Sequence, residues 1–570
     1  MRARKIIAIV ALSLVVAAAT AWTWKLHGYP KVGIDDANIF FTYAENLASG
    51  NGITYGQNGE AVEGVTSILW MLLCTVMFAL GADETGVFVL CFVLFVLTQV
   101  LFFKATNGSS TQSDRYIRAS QAIYLALILS SPAYITWMTI TLMDTCLWGV
   151  IIGGMTFSMV FPPRSKFSAL IASVPYLVAP LARPEAFLVV PVFILLLRWR
   201  STTSFGKRLC IFLTLSFLMV AVGVTVFRMQ YFGYPLPNTY YAKVSPLLGY
   251  NLKIGMEYLY EFILSSSVVG VSCLLVLIRC ALWSGQLMDR IRLRSFRPLF
   301  KTPVSAGVAV SLGALTLLTL PVLTGGDHFG MFRFFQPAIP LIFLSAILSV
   351  KELSACALER PFISLQWLKT NIFKGVMVLA VIIYWFFEYS SAHSWSSIHK
   401  GSPIEHQFRI AEKGMAIGER LNEIFAATKP LPSVGVVIAG GIARTYRGPI
   451  IDMMGLNNSL IAHSEGDRTG VKNHAALELE VFFRVEPDIL VGSPPVPLNP
   501  RHTYGDVLKG LLKDPRFTGQ WRCGTLSLRK NSDCSQRVLI RKAFLEEIAD
   551  HDILEFSDTM IWRNRWVKVH

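Results

Sequence analysis

The run MRARKIIAIVALSLVVAAATAWTWKLHGYPKVGIDDANIFFTYAEN, residues 1–46, decides how the rest of the chain reads. Arg2, Arg4 and Lys5 stand before an apolar stretch from Ile6 to about Trp24, enough for one bilayer crossing at roughly 20 residues per span. The stretch is either a first anchor or a cleavable signal peptide with Ala17-Ala18-Ala19 as its cleavage region. The anchor is favoured, because further apolar segments hold the chain in the membrane in either case. With the basic end retained in the cytoplasm, Asp35 and Asp36 emerge on the outer side. Charges at a membrane edge are costly unless they stay wet, pair or work, so this acidic pair is either a solvated loop or part of a functional site.

Composition supports the membrane reading. Of 570 residues 53% are hydrophobic and 16% charged, and the mean hydropathy is +0.49, too little polar surface for a soluble globule. The net charge of +15 lies mostly in short loops between apolar runs. That is the positive-inside pattern of a polytopic membrane protein and argues against nucleic acid as a partner. Basic loops at 104–118, 164–166, 198–208, 279–301 and 351–374 fix the inner side. Spans then fall near 6–24, 86–103, 118–132, 145–161, 167–181, 186–198, 208–228, 263–279, 304–324, 336–350 and 373–388, about eleven crossings. The apolar run Ile68 to Leu80 breaks the alternation if it crosses. It is expected to lie flat or re-enter, with an ordinary crossing and a different count elsewhere as the alternative.

This count makes residues 1–388 a transmembrane module, with a first outer loop at 25–66 that holds interfacial helices. Residues 389–570 become an outer, periplasmic α/β domain. Val434-Gly435-Val436-Val437-Ile438-Ala439 reads as a buried strand before Gly440-Gly441, while 414–427 and 504–513 read as helices. Seven of the nine cysteines lie in or beside apolar segments, where cysteine acts as a small hydrophobe. Cys523 and Cys534 lie in the outer tail across an expected strand-turn-strand with Asn531-Ser532-Asp533 at its bend. They form a disulfide or remain two thiols.

On this topology several polar groups converge on the outer side: Asp35, Asp36, Asp144, Arg183, Glu185, Asn238, Tyr240, Lys243, Asp327, His328 and Arg333. Each alone has a structural explanation, such as a snorkelling arginine or an interfacial aromatic. Together, carboxylates supply a base, and arginine and lysine in a partly dry groove bind phosphate through charge-assisted hydrogen bonds. A sugar linked to a lipid phosphate needs both.

The segments Asp35-Asp36 through Glu63-Gly64-Val65-Thr66-Ser67, Leu181-Ala182-Arg183-Pro184-Glu185, Leu236-Pro237-Asn238-Thr239-Tyr240-Tyr241-Ala242-Lys243 and Gly325-Gly326-Asp327 carry a resemblance. They resemble the GT-C glycosyltransferases that use polyprenyl-phosphate sugars, and most closely the terminal β-(1→2)-arabinofuranosyltransferase family. Tyr446-Arg447-Gly448-Pro449-Ile450-Ile451-Asp452-Met453-Met454-Gly455-Leu456-Asn457 is similar to the C-terminal domain of that group. One departure is Leu142-Met143-Asp144-Thr145, where relatives carry Glu before the Thr.

The resemblance implies inverting transfer of a sugar, arabinofuranose in the nearest relatives. The donor is a polyprenyl phosphate and the acceptor an envelope glycan, lipid or protein, met on the outer face of the inner membrane. By family position Asp35 is the base and Asp36 its partner; Arg183, Lys243 and Arg333 bind the donor phosphate. Asp144, Glu185, Asn238, Tyr240, Asp327 and His328 contact substrate. No cofactor and no metal are expected, although Asp35, Asp36 and Asp327 are the carboxylates that a divalent cation would use. A transporter or flippase of lipid-linked sugar is the alternative class. It would place its charges near the midplane on broken helices and show internal repeats, which the sequence does not.

Overall fold

The computed structural model describes residues 2–29, 31–56, 59–108, 114–292, 303–358, 404–470, 472–491, 510–511, 514–528, 531–549, 554–562 and 565–568. The expected span at 373–388, the boundary at 388/389 and nearly all of the expected helix at 504–513 lie outside these residues.

Ten of the eleven expected spans are helices. These are α1 (Arg2–His27), α4 (Glu84–Ala105), α5 (Asp114–Leu129), α7 (Thr145–Val160), α8 (Lys166–Ala182), α9 (Ala186–Arg200), α10 (Ser204–Tyr231), α13 (Ser267–Arg292), α14 (Ala306–Leu323) and α15 (Ile339–Leu358). Five helical stretches are long and apolar enough to cross a bilayer, and shorter apolar helices accompany them. Between them lie α2 (Asp35–Ala48), α3 (Ile68–Ala79), α6 (Pro132–Met138), α11 (Asn238–Lys243) and α12 (Leu248–Leu264). The 12 residues of α3 rise about 18 Å at 1.5 Å each, short of a hydrocarbon core of about 30 Å.

The chain divides into two compact units, and the division is discontinuous. One comprises Met1–Tyr29, Phe88–Val224 and Asn251–Ile404; the other Pro30–Val87, Thr225–Tyr250 and Glu405–His570. Pro30–Val87 and the Thr225–Tyr250 connection therefore belong with the C-terminal segment.

In the helical unit α14 and α15 are mostly buried and pack on α9, α13 and each other, whereas α13 keeps most of its apolar surface outward. With no hydrophobic drive between helices in lipid, close packing and polar contacts hold such a bundle. Ser311 and Ser345 share a 2.6 Å hydrogen bond between α14 and α15. At Gly154 of α7 a Cβ would lie 2.5 Å from Pro175 of α8, so only glycine permits that approach.

In the second unit α2 packs against α3. Asp35 and Asp36 in the first turn of α2 complement the positive end of its dipole, and its apolar positions Ile39, Phe40, Tyr43 and Ala44 are buried. The C-terminal segment carries a seven-stranded mixed sheet in the order β2-β1-β3-β5-β4-β6-β7. Short β1 (Val434–Val436), β2 (Ile450–Asp452) and β3 (Ile489–Val491) run parallel and wholly or partly buried. The longer β4 (Trp521–Leu528), β5 (Asn531–Arg541), β6 (Leu554–Trp562) and β7 (Arg565–Lys568) are antiparallel. With its helices this is the expected α/β domain; helix Ile404–Ile424 covers 414–424 of the helix expected at 414–427, and 425–427 form a turn.

The disulfide expectation is corrected by strand register. Asn531 already belongs to β5 rather than to a bend, and Cys523 pairs across the ladder with Leu539. Cys534 is five positions further along β5, about 17 Å at 3.3 Å per residue, whereas a disulfide needs Cα atoms within about 7 Å. The two cysteines do not form a pair.

Candidate active site

The sequence-predicted residues fall into two groups. Asp144, Arg183, Glu185, Asp327, His328 and Arg333 belong to the helical unit; Asp35, Asp36, Asn238, Tyr240 and Lys243 belong to the other.

In the helical unit, Pro184 ends α8 by disfavouring helical backbone at the residue before it, and Arg183 is extended (φ −155°, ψ 141°). From that cap its guanidinium reaches Asp144 at 2.8 Å, with Glu185 at 3.7 Å. Asp144 sits at the start of α7, and Leu142 two residues earlier turns the chain with φ +59°. The second arginine comes from a more contorted segment. Gly325, Gly326, Met331 and Phe332 all have left-handed backbone, costly for the two bulky residues and held by packing of Phe332 on Tyr258 and Phe262. A Cβ at Gly326 would lie 2.6 Å from the Tyr258 ring. The result is Arg333 paired with Asp327 at 2.6 Å and lying over Phe329. Asp327 also accepts the His328 backbone N–H at 2.9 Å.

Arg183, Glu185 and Arg333 line one cavity of about 30 Å³ with Trp148, Leu317 and Phe334, room for one or two waters. Arg183 Nε, Asp144 Oδ2 and Glu185 Oε2 are buried without a hydrogen-bond partner among the described residues. Buried donors and acceptors left unmatched are costly, and three such atoms cluster around Arg183.

In the other unit the acidic pair divides. Asp35 is buried, and both its oxygens accept backbone N–H groups of the C-terminal segment: Oδ2 from Gly440 and Oδ1 from Gly441, each at 2.9 Å. Burial pushes its carboxyl up to about 7 against the lowering effect of those two hydrogen bonds. Asp36, on the same turn, is half-exposed. Tyr43 donates to the Val62 carbonyl at 2.8 Å, accepts from the Gly64 N–H, and meets Asn457 at 3.1 Å. Buried Asp452 accepts from the backbone of Met454 and from the backbone and side chain of Asn457.

Asn238 also holds that motif. Its amide donates to the Gly455 and Leu456 carbonyls at 2.8 and 2.9 Å, while Oδ1 is buried without a partner among the described residues. Lys243, half-buried at the end of α11, faces Asp452 electrostatically, and Tyr240 is exposed. Glu63 and Arg228 form a fully buried bidentate pair at 2.8 to 3.1 Å. Among the described residues no group of three or more His, Cys, Asp or Glu side chains forms a metal-binding set.

Sequence reasoning missed Arg228, Arg444, Tyr43 and the Gly440-Gly441 amides. Gly440-Gly441 was visible as a break after a strand; a lone arginine at the end of an apolar helix reads only as an inner or outer flank.

No family model matches the chain, and no curated protein does. Among solved structures the chain is similar to two crystal structures of ArnT from Cupriavidus metallidurans. One is bound to undecaprenyl phosphate (15% identity, TM-score 0.48) and one is in the apo state (16%, 0.47), each covering 95% of this chain and 98% of that one.

Proposed function

We propose that this chain is a membrane-embedded, inverting glycosyltransferase that uses a polyprenyl-phosphate sugar. Its acceptor is a hydroxyl of an envelope glycan, lipid or protein on the outer face of the inner membrane. Arabinofuranose is the sugar that the sequence resemblance names. The observation that carries the reading is the cavity of the helical unit, where Arg183 and Arg333 stand at the ends of apolar helices beside unmatched buried polar atoms. Buried cations in a membrane bundle mark sites for anionic groups, and a guanidinium fork matches phosphate geometry.

Asp36 takes the acceptor proton in this reading. Both oxygens of Asp35 are already engaged by amides, whereas Asp36 is half-exposed on the same helical turn. The acceptor oxygen attacks the anomeric carbon as its proton passes to the carboxylate. The bond from that carbon to the phosphate oxygen breaks on the opposite face, and the released lipid phosphate keeps the electron pair. Arg183 and Arg333, which line one cavity, stabilise the charge that accumulates there. No step needs a nucleotide or a redox cofactor.

The test is release of polyprenyl phosphate by purified protein given a polyprenyl-phosphate sugar and an acceptor glycan. Asp36→Asn is expected to slow release by about 10²- to 10⁴-fold, and Arg183→Gln or Arg333→Gln by about 10²- to 10³-fold. Movement of intact donor across vesicles without release would instead establish a transporter.

A further inference from the structure

We infer that residues 439–457 of the C-terminal segment are the positioning element of the acidic pair, so that this segment is part of the machinery for transfer itself. The inference rests on the function proposed above. Three ties carry it, all inside one compact unit.

The first fixes the start of α2. Two N–H groups from consecutive glycines grip the two oxygens of Asp35, which orients its carboxylate plane and with it the first turn that carries Asp36. The fit allows no side chain: a Cβ at Gly440 would lie 1.8 Å from the Asp35 carbonyl oxygen. The Tyr55 hydroxyl donates to the Ala439 carbonyl immediately before them.

The second tie fixes the end of α2. Arg444 donates to Glu45 at 2.7 and 3.1 Å and to Asn38 at 3.2 Å, and its guanidinium lies over Phe41 and Phe78. Glu84 completes the cluster. Gly440 to Arg444 thus spans α2 from Asp35 to Glu45, ten residues or about 15 Å.

The third tie fixes the loop after α2. Asn457 bonds the Tyr43 hydroxyl, which holds the Val62 and Gly64 backbone, and a Cβ at Gly64 would lie 1.8 Å from Asn457 Oδ1. Asp452 locks Asn457 by two hydrogen bonds. A segment that served only to choose an acceptor would have no need to hold α2 at both ends and the following loop as well.

The experiment measures kcat and donor KM for full-length Asp35→Asn, Arg444→Lys, Gly440→Ala and Asp36→Asn proteins in one membrane preparation. Asp35→Asn is isosteric and leaves only one oxygen for two amides; Arg444→Lys keeps charge but loses the fork. Both are expected to lower kcat by about 10- to 100-fold with donor KM within about twofold of the parent, and Asp35→Glu, which restores the carboxylate, is expected to recover part of the loss. Gly440→Ala is expected to match or exceed Asp35→Asn. Parental kcat in Asp35→Asn or Arg444→Lys, or a change confined to acceptor KM, overturns the inference. Parental turnover by Asp36→Asn overturns the base assignment instead, and so separates the two failures.

Discussion

At the scale of single residues, buried charges dominate. Glu63 and Arg228 are almost wholly inaccessible, and removal of one partner strands the other charge in the interior, which typically costs about 3–5 kcal/mol. Arg228→Met is therefore expected to destabilise the protein by about that amount, and Glu63→Leu with Arg228→Met together to recover much of it, read by denaturant unfolding in detergent. Asp452 gives a pH signature. Burial pushes its carboxyl up to about 6 from 3.8, so the folded chain binds its proton more readily than the unfolded one. Its contribution is fully present below about pH 4 and is lost as pH rises through 6. Thermal unfolding curves of Asp452→Asn are expected to lose part of the fall in stability across that window; an unchanged slope counts against the assignment. The acidic pair itself was legible in the sequence. Which carboxylate stays accessible was not, because that depends on two amides some 400 positions away.

At the scale of elements, hydropathy and the charges of the loops located most helices, since an apolar run in lipid has few options other than a helix. Their partners depended on polar groups at helix ends. Glu352 of α15 binds Arg279 of α13 at 2.6 Å and the Ser305 hydroxyl and Gly307 N–H at the start of α14, so one side chain joins three helices. Glu352→Ala is expected to cost about 1–3 kcal/mol and to speed hydrogen exchange at the N-terminal end of α14 while its far end stays protected. The paired cysteines failed at this same scale: spacing fixes how many residues separate two thiols, but hairpin register fixes whether they face each other, and here Cys523 meets Leu539.

At the scale of the whole molecule, the discontinuous second unit ties the loop Pro30–Val87 to the C-terminal segment. Deletion of 405–570 is expected to expose residues 31–87 to protease in membranes while α7 to α9 remain protected; equal protection with and without the deletion would mean that the loop holds itself. The sequence by itself determined that this is a polytopic membrane protein with an α/β tail and an acidic segment after its first helix. Those properties follow from hydropathy, helical period and charge bias, which are local sums along the chain. Only the tertiary structure decided that Asp35 anchors to Gly440 and Gly441 and Arg183 to Asp144, and that Cys523 and Cys534 lie apart. Hydrogen bonds and ion pairs act over about 3 Å in space, and no local sum along the chain records which distant residues the fold brings to that distance.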